Sequence, residues 1–387
     1  VSSIKDRVAV VGVGTTPYSR DSGRTSASLV VEACIAAIRD AGLEKEEIDG
    51  LCGSNRVEPA QYMQSALGLT ECTWFANTVV PIQHQVIEAM NAIHSGSCTH
   101  ALVYHGNYRA SGVSRSAGGS AFRARYGAGF NVLAAEPETF KSPVGYAPWA
   151  AWYLNRYNVG REVLGKVAIN SRSNAVMNEH AAIRTPLTMA DYMSARMVRE
   201  PLTMFDMDYP IDGADAFVFT SAERARDLHN TPVLLHAAVM GLGSETFEDQ
   251  VSDLDHTGQQ VVVRQLSERS DIGRDDFDVL FPYDGFSIIC ARWFEALGFC
   301  GPGEANAYFD EHWDEATNRL LINGRVPVNS HGGSLSDGGV QGSNHFREAV
   351  LQLRGEAGSR QVFGAKSALL TAGGMFFNSG GIVLRRD

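Results

Sequence analysis

The residues able to do chemistry gather in the last third of the chain. The stretch from Val328 to Gly342 reads Val-Asn-Ser-His-Gly-Gly-Ser-Leu-Ser-Asp-Gly-Gly-Val-Gln-Gly, and Tyr283-Asp284-Gly285-Phe286 and Gly373-Gly374 flank it in sequence. Together they offer a phenol, a carboxylate, an imidazole and backbone N–H groups, which suit proton transfer and the holding of a negative oxygen. Tyr283 can move a proton if positive charge or hydrogen bonds pull its pKa down from ~10; otherwise it is a strand-end tyrosine capping a loop. His331, two residues after Asn329, is a candidate acid, with bracing of the turn as the other reading. Asp284 is a candidate catalytic carboxylate, and reads more as a holder of loop N–H groups. Gly332, Gly333, Gly373 and Gly374 permit close backbone approach and are candidate donors to a substrate oxygen, beside Asn329. His84 and His105 read as structural.

Composition narrows the partners. The 387 residues carry a net charge of −11, which argues against nucleic acid. From Asn107 to Met207, however, twelve basic residues stand against seven acidic ones, a local excess that suits a phosphorylated ligand. No apolar run reaches the ~18–20 residues of a membrane span. The first residues lack the pattern of a secretion signal. Six scattered cysteines (Cys34, Cys52, Cys72, Cys98, Cys290, Cys300) form no C-x-x-C pair, so zinc and dithiol readings have no support. Free cysteines fit a cytoplasmic protein.

The elements that must position these residues alternate. Arg7 to Gly14 reads as a buried strand; its Gly-x-Gly lacks the rest of a dinucleotide fingerprint. A helix around Leu29 to Ala37 follows, capped by Ser26 or Ser28 and closed by Gly42. A strand at Ile48–Cys52, a helix at Gln83–His94 and a strand at His100–His105 come next. Such alternation predicts α/β layering with a mainly parallel sheet. Residues 107–210 lose the pattern, apart from helices near Trp149–Tyr157 and Arg161–Met177, as an insertion lining a site would. Trp149, Trp152, Tyr153 and Phe286 suit a broad pocket or the core equally. Strands return at Ile211–Thr220, Pro232–Gly241, Phe277–Phe281, Ser367–Thr371 and Gly381–Arg385. The chain divides into halves 1–229 and 230–387, each running strand, helix, strand, helix, strand.

Several segments resemble the thiolase superfamily, in its sterol-carrier-protein and lipid-transfer-protein-like branch. They are Gly12–Gly14, Asp212-Gly213-Ala214, Tyr283–Phe286, Leu297–Glu304, the Asn329-x-x-Gly332-Gly333 turn and Gly373-Gly374. Glu295–Gly301 and Arg347–Gly355 most resemble the thiolase-like aldolases of steroid side-chain degradation. The resemblance implies a five-layer αβαβα thiolase fold with two similar βαβαβ halves and a homodimer. It implies acyl-CoA ligands met by the basic insertion, and no cofactor beyond the CoA thioester that is itself the substrate. It also implies a small partner with an oligonucleotide/oligosaccharide-binding-type domain.

Measured against that resemblance, the thiolase catalytic groups are missing. The nucleophilic cysteine would fall at about Val79, the Gly-His-Pro histidine at Gly339 and the late cysteine near Thr371. Cys72 is left as a nucleophile only if the loop before Val79 holds an insertion or deletion. Tyr283 stands where the aldolase-like members place a tyrosine. Their second tyrosine, and the histidine two residues on, are Gly339 and Gln341 here, and His331 is the nearest titratable group to stand in as acid or enolate donor. The leading expectation is a lyase that splits a bulky β-hydroxyacyl-CoA by a retro-aldol reaction without a cysteine nucleophile. The alternatives are a non-catalytic thiolase-like subunit and an acyltransferase with a misplaced cysteine.

Overall fold

A computed structural model describes residues 4–109, 146–244, 252–375 and 378–387. Its main sheet has nine strands: β1 (Val8–Thr15), β2 (Gly50–Ser54), β3 (Trp74–Thr78), β4 (Ala101–Tyr108), β5 (Asp212–Ser221), β6 (Val233–Gly241), β7 (Val279–Phe281), β8 (Ser367–Ala372) and β9 (Ser379–Arg386). Their order is β3-β2-β4-β5-β1-β6-β9-β8-β7. The helices of eight residues or more are α1 (Ser26–Asp40), α2 (Ala60–Leu67), α3 (Ile82–Ser95), α4 (Tyr146–Tyr157), α5 (Glu162–Val176), α6 (Gly258–Arg269), α7 (Ser287–Ala296) and α8 (Ser343–Arg354). No helix of the described residues is long and apolar enough to cross a membrane.

The strands are apolar on both faces, and their alternation builds the layers. In β1, Ala9 and Val11 face α1 and α2 while Val8 and Val10 face a middle layer with α3 and α8. In β5, Ala214, Ala216 and Val218 face outward and Phe217 and Phe219 inward. The second half mirrors this: Val279, Phe281, Leu370 and Ile382 meet the same middle layer, while Leu280, Leu369 and Val383 face α6 and α7. Five layers result, αβαβα, and the half-sheets are joined along β1 and β6 by the pairs Ala9↔Leu234 and Val10↔Val233.

The expectation of a mainly parallel sheet is corrected. Only β2·β3, β2·β4 and β7·β8 are parallel. The pairs β1·β5, β1·β6, β4·β5, β6·β9 and β8·β9 are antiparallel. The short return between Ala372 and Ser379 cannot hold a crossover helix, so β9 must run back against β8. The Gly12-x-Gly14 pair serves packing: a Cβ at either position would overlap the backbone of α1, at Ala37 and Ala33 respectively. The cap of α1 is Thr25, whose side chain accepts from the Ser28 N–H, in place of the expected serines.

Candidate active site

Tyr283 follows β7 directly, in the loop that leads to α7. Its N–H donates to Thr371 Oγ1 on β8 at 2.9 Å. Its ring folds back over Gly285, where a Cβ would come within 2.6 Å of the phenol oxygen. Glycine is therefore what lets the hydroxyl lie here. The phenol is buried, and burial pushes its pKa well above the ordinary value. Asp208 and Asp284 push the same way; Arg109 and Ser334 pull it down without overcoming burial. The condition set for Tyr283, a pKa pulled down, is not met: burial keeps the phenol protonated. Ser334 Oγ, buried and otherwise without a hydrogen-bond partner, stands beside it.

Asp284 anchors the glycine-rich stretch. Its Oδ1 accepts from the Ser334 N–H at 2.7 Å and lies 3.1 Å from His345 Nε2; its Oδ2 accepts from Ser171 Oγ of α5 at 3.0 Å. A Cβ on Gly333 would overlap Oδ2, and Gly333 has φ +59°, so only glycine lets the carboxylate reach this turn. Asn329, itself at φ +51°, donates to the Pro282 carbonyl at 2.9 Å and its N–H donates to the Leu280 carbonyl. The turn is thereby fastened to β7 at both ends of Phe281.

The histidine beside Tyr283 is His345, at the start of α8. Its ring centroid lies 5.7 Å from that of Tyr283 and 4.7 Å from that of His331. Asn344 Nδ2 donates to three oxygens (Gly333 O, Gly338 O and Asp337 Oδ2), so its Oδ1 is turned to His345 Nδ1, 3.0 Å away. Both ring nitrogens of His345 are thus held, Nδ1 by Asn344 and Nε2 by Asp284. His331 lies behind this ring. Neither of its nitrogens has a hydrogen-bond partner, and burial followed by the His345 charge pushes its pKa well below the ordinary value, leaving it neutral.

The glycine N–H groups divide. Gly332 N–H donates to Asn329 O at 2.9 Å, and Gly374 N–H to Asn378 Oδ1 at 2.7 Å. Both amides are engaged within the chain. Gly373, at φ +73°, presses so closely on the Asn378 carbonyl that a Cβ would overlap it.

Sequence reasoning missed the segment between these loops. Asp208 N–H donates to Gly285 O, Tyr209 N–H to Ser334 O, and Gly339 N–H to Tyr209 O. Asp208 is so carried to the site and paired with Arg109, whose Nη2 lies 2.6 Å from Oδ2 and donates to Gly339 O at 3.2 Å. A Cβ on Gly339 would overlap both Arg109 Nη2 and Asp208 Oδ2. The ion pair fills the space a side chain at 339 would take. Arg56, exposed at the end of β2, is within electrostatic range of Arg109, Asp208 and Tyr283.

No cysteine is poised as a nucleophile. Val79 precedes α3, whose first N–H donates to Gln341 O. Cys72 precedes β3, at the other end of that strand from Val79, roughly 23 Å away along extended chain. Burial pushes all six thiols above their ordinary pKa. Of the basic zone, Arg115, Arg123, Arg125 and Lys141 lie outside the described residues. Lys166 and Arg172 spend their donors internally, on Asp310 and Asn306 and on Thr185 O and Ser336 Oγ. Trp149 and Trp152 pack edge to face, Tyr153 is fully buried against Glu295, and Phe286 stacks on Tyr146; all border the core around Tyr283.

Residues 244–386 match the family described as thiolase C-terminal domain-like. A "Steroid side-chain-cleaving aldolase" of Thermomonospora curvata is 30% identical over 386 residues, covering 96% of each chain. The "17-hydroxy-3-oxo-4-pregnene-20-carboxyl-CoA lyase" of Mycobacterium tuberculosis is 30% identical, covering 96% of this chain and 97% of the relative. The solved "Ltp2-ChsH2(DUF35) aldolase" superposes with a TM-score of 0.87 at 30% identity, covering 100% of this chain and 99% of that one. With that identity along nearly its whole length, the chain belongs to the thiolase-fold aldolases and lyases, and is an enzyme of that class.

Proposed function

We propose that the protein cleaves a bulky β-hydroxyacyl-CoA, of the steroid side-chain type, into a ketone or aldehyde and a shorter acyl-CoA. What carries this reading is a protonated Tyr283 at the end of β7 in a site without a thiolate. A retro-aldol reaction forms no acyl-enzyme. It needs a base for the β-hydroxyl and a donor for the thioester enolate, and a neutral phenol is such a donor. Asp284 and His345 sit behind Tyr283 and fix the loops around it. The CoA thioester is the substrate, and no further cofactor enters the chemistry.

Partners follow from the same reading. The aldolase of similar structure has two named components, which supports a small partner protein of oligonucleotide/oligosaccharide-binding type. A homodimer is supported by β3, an edge strand with Phe75 54% exposed. Free cysteines fit a cytoplasmic setting.

The test is incubation of the chain, co-expressed with such a partner, with a β-hydroxyacyl-CoA, followed by mass spectrometry of both products. Tyr283→Phe is expected to lower kcat by ~100-fold or more at unchanged fold. Wild-type turnover that survives in Tyr283→Phe removes the phenol from the mechanism. Absence of turnover with or without the partner assigns the chain a scaffolding role instead.

A further inference from the structure

We infer that Asp208 is the base that takes the β-hydroxyl proton, held in place by Arg109 in the space that Gly339 leaves open. This rests on the retro-aldol reading above and names the group that reading still lacks.

Accessibility separates the carboxylates near Tyr283. The Asp284 side chain is 0% exposed and its partner His345 1%, and Asp284 already accepts from Ser334, Ser171 and His345. It is sealed from solvent and already engaged by three partners. Asp208 and Arg109 keep 14% and 22% of their side-chain surface. Arg109 holds Oδ2 at 2.6 Å, while among the described residues Oδ1 meets only the longer 3.4 Å contact and keeps lone pairs for a hydroxyl.

The backbone sets where that oxygen points. Asp208 is bonded to the carbonyl of Gly285, the residue over which the Tyr283 phenol folds. The next residue, Tyr209, bonds to Ser334 and to Gly339, on the opposite wall. The Asp208 and Arg109 charges are the largest electrostatic influences on the phenol after burial. The carboxylate and the phenol thus lie within electrostatic reach of each other, on two separately anchored loops. Gly339 is the enabling residue, because any side chain there would displace the ion pair.

The proton balance closes without a co-reactant. Asp208 takes the β-hydroxyl proton as the oxygen forms the new carbonyl. The α–β carbon–carbon bond breaks and its electron pair becomes the thioester enolate. The enolate carbon takes the proton of Tyr283, and the protonated Asp208 then returns a proton to the phenolate. Arg109 is a positioning residue: its Nη2 fixes the carboxylate through the 2.6 Å bond to Oδ2.

The experiment uses the co-expressed complex and the β-hydroxyacyl-CoA assay. Asp208→Asn preserves shape and the contact with Arg109, and is expected to lower kcat ~100-fold with KM within threefold. Asp208→Ala is expected to regain activity with rising sodium formate and not with sodium chloride at equal ionic strength. Gly339→Ala, which leaves both charged residues in the sequence, is expected to lower kcat by at least tenfold. Thermal melting accompanies each variant. Wild-type kcat in Asp208→Asn overturns the inference while leaving the retro-aldol reading standing. Loss of activity in both Asp208 variants with no formate response makes the carboxylate structural and overturns it as well. A wild-type complex that cleaves no β-hydroxyacyl-CoA brings down the reading itself, and the base assignment with it.

Discussion

Proximity in sequence and proximity in the fold part company at His331 and His345. His331 sits in the recognisable turn, yet its buried ring has no polar partner and its charged neighbours are His345, Asp337, Arg347 and Arg360. His345 was not singled out in the sequence, yet it contacts Tyr283 and pairs with Asp284. Helical side chains lean toward the N-terminus, so a polar residue in the first turn of α8 is thrown back onto the loop before it. The run Gly342-Ser343-Asn344-His345 carried that signal. Replacing a buried group that has no partner by an apolar one of similar size is nearly neutral. His331→Leu is therefore expected to change stability by less than ~1 kcal/mol and kcat by less than about threefold, as read by urea unfolding and the cleavage assay. Asp284→Ala leaves the Ser334 N–H, Ser171 Oγ and His345 Nε2 without their shared partner and is expected to cost about 3 kcal/mol or more. A His331→Leu variant that folds normally but loses all turnover would return His331 to the chemistry.

At the scale of elements, the strands and long helices were legible because they are apolar at regular periods. The Asn329-to-Gly333 turn was legible as a pattern of glycines. The path of Asp208 and Tyr209 was not. It lies at the end of an irregular hundred-residue region, and its bonds go to Gly285, Ser334 and Gly339, partners far along the chain. Strand direction was also hidden, because antiparallel and parallel strands buried on both faces read alike. The positive φ of Gly333 and its contact with Asp284 make the turn and the carboxylate one unit. Gly333→Ala is expected to lower stability by ~2 kcal/mol or more and to abolish cleavage together. Retained stability with retained activity would show that the turn tolerates a Cβ and that Asp284 can move away.

For the whole molecule, the buried middle layer makes stability depend on pH in one direction. His105 on β4 is fully buried with Nδ1 3.1 Å from Gln85 Oε1, and burial lowers its pKa to about 4. Burial pushes His331 the same way. An unfolded chain protonates these rings near pH 6.5, where the native rings stay neutral, so acidification draws protons to the unfolded state. Stability is expected to fall as pH drops from about 6.5 toward 4, with His105 alone contributing roughly 2–3 kcal/mol of the loss by pH 4.5. The carboxylates act later. Despite the opposing effect of burial, the Arg347 guanidinium holds Asp215 and Asp337 below the ordinary carboxylate range, with bonds of 2.7 Å to each. Their contribution is complete above the unfolded carboxylate pKa and is lost only as the solution becomes more acid than that. Urea unfolding at pH 7.0, 5.5 and 4.5 separates the two groups, and His105→Gln is expected to flatten the slope between pH 6.5 and 4.5. A wild-type protein equally stable at pH 7.0 and 4.5 would mean that the native layer opens enough to hydrate these rings, and that the middle of the five layers is not the sealed unit its packing describes.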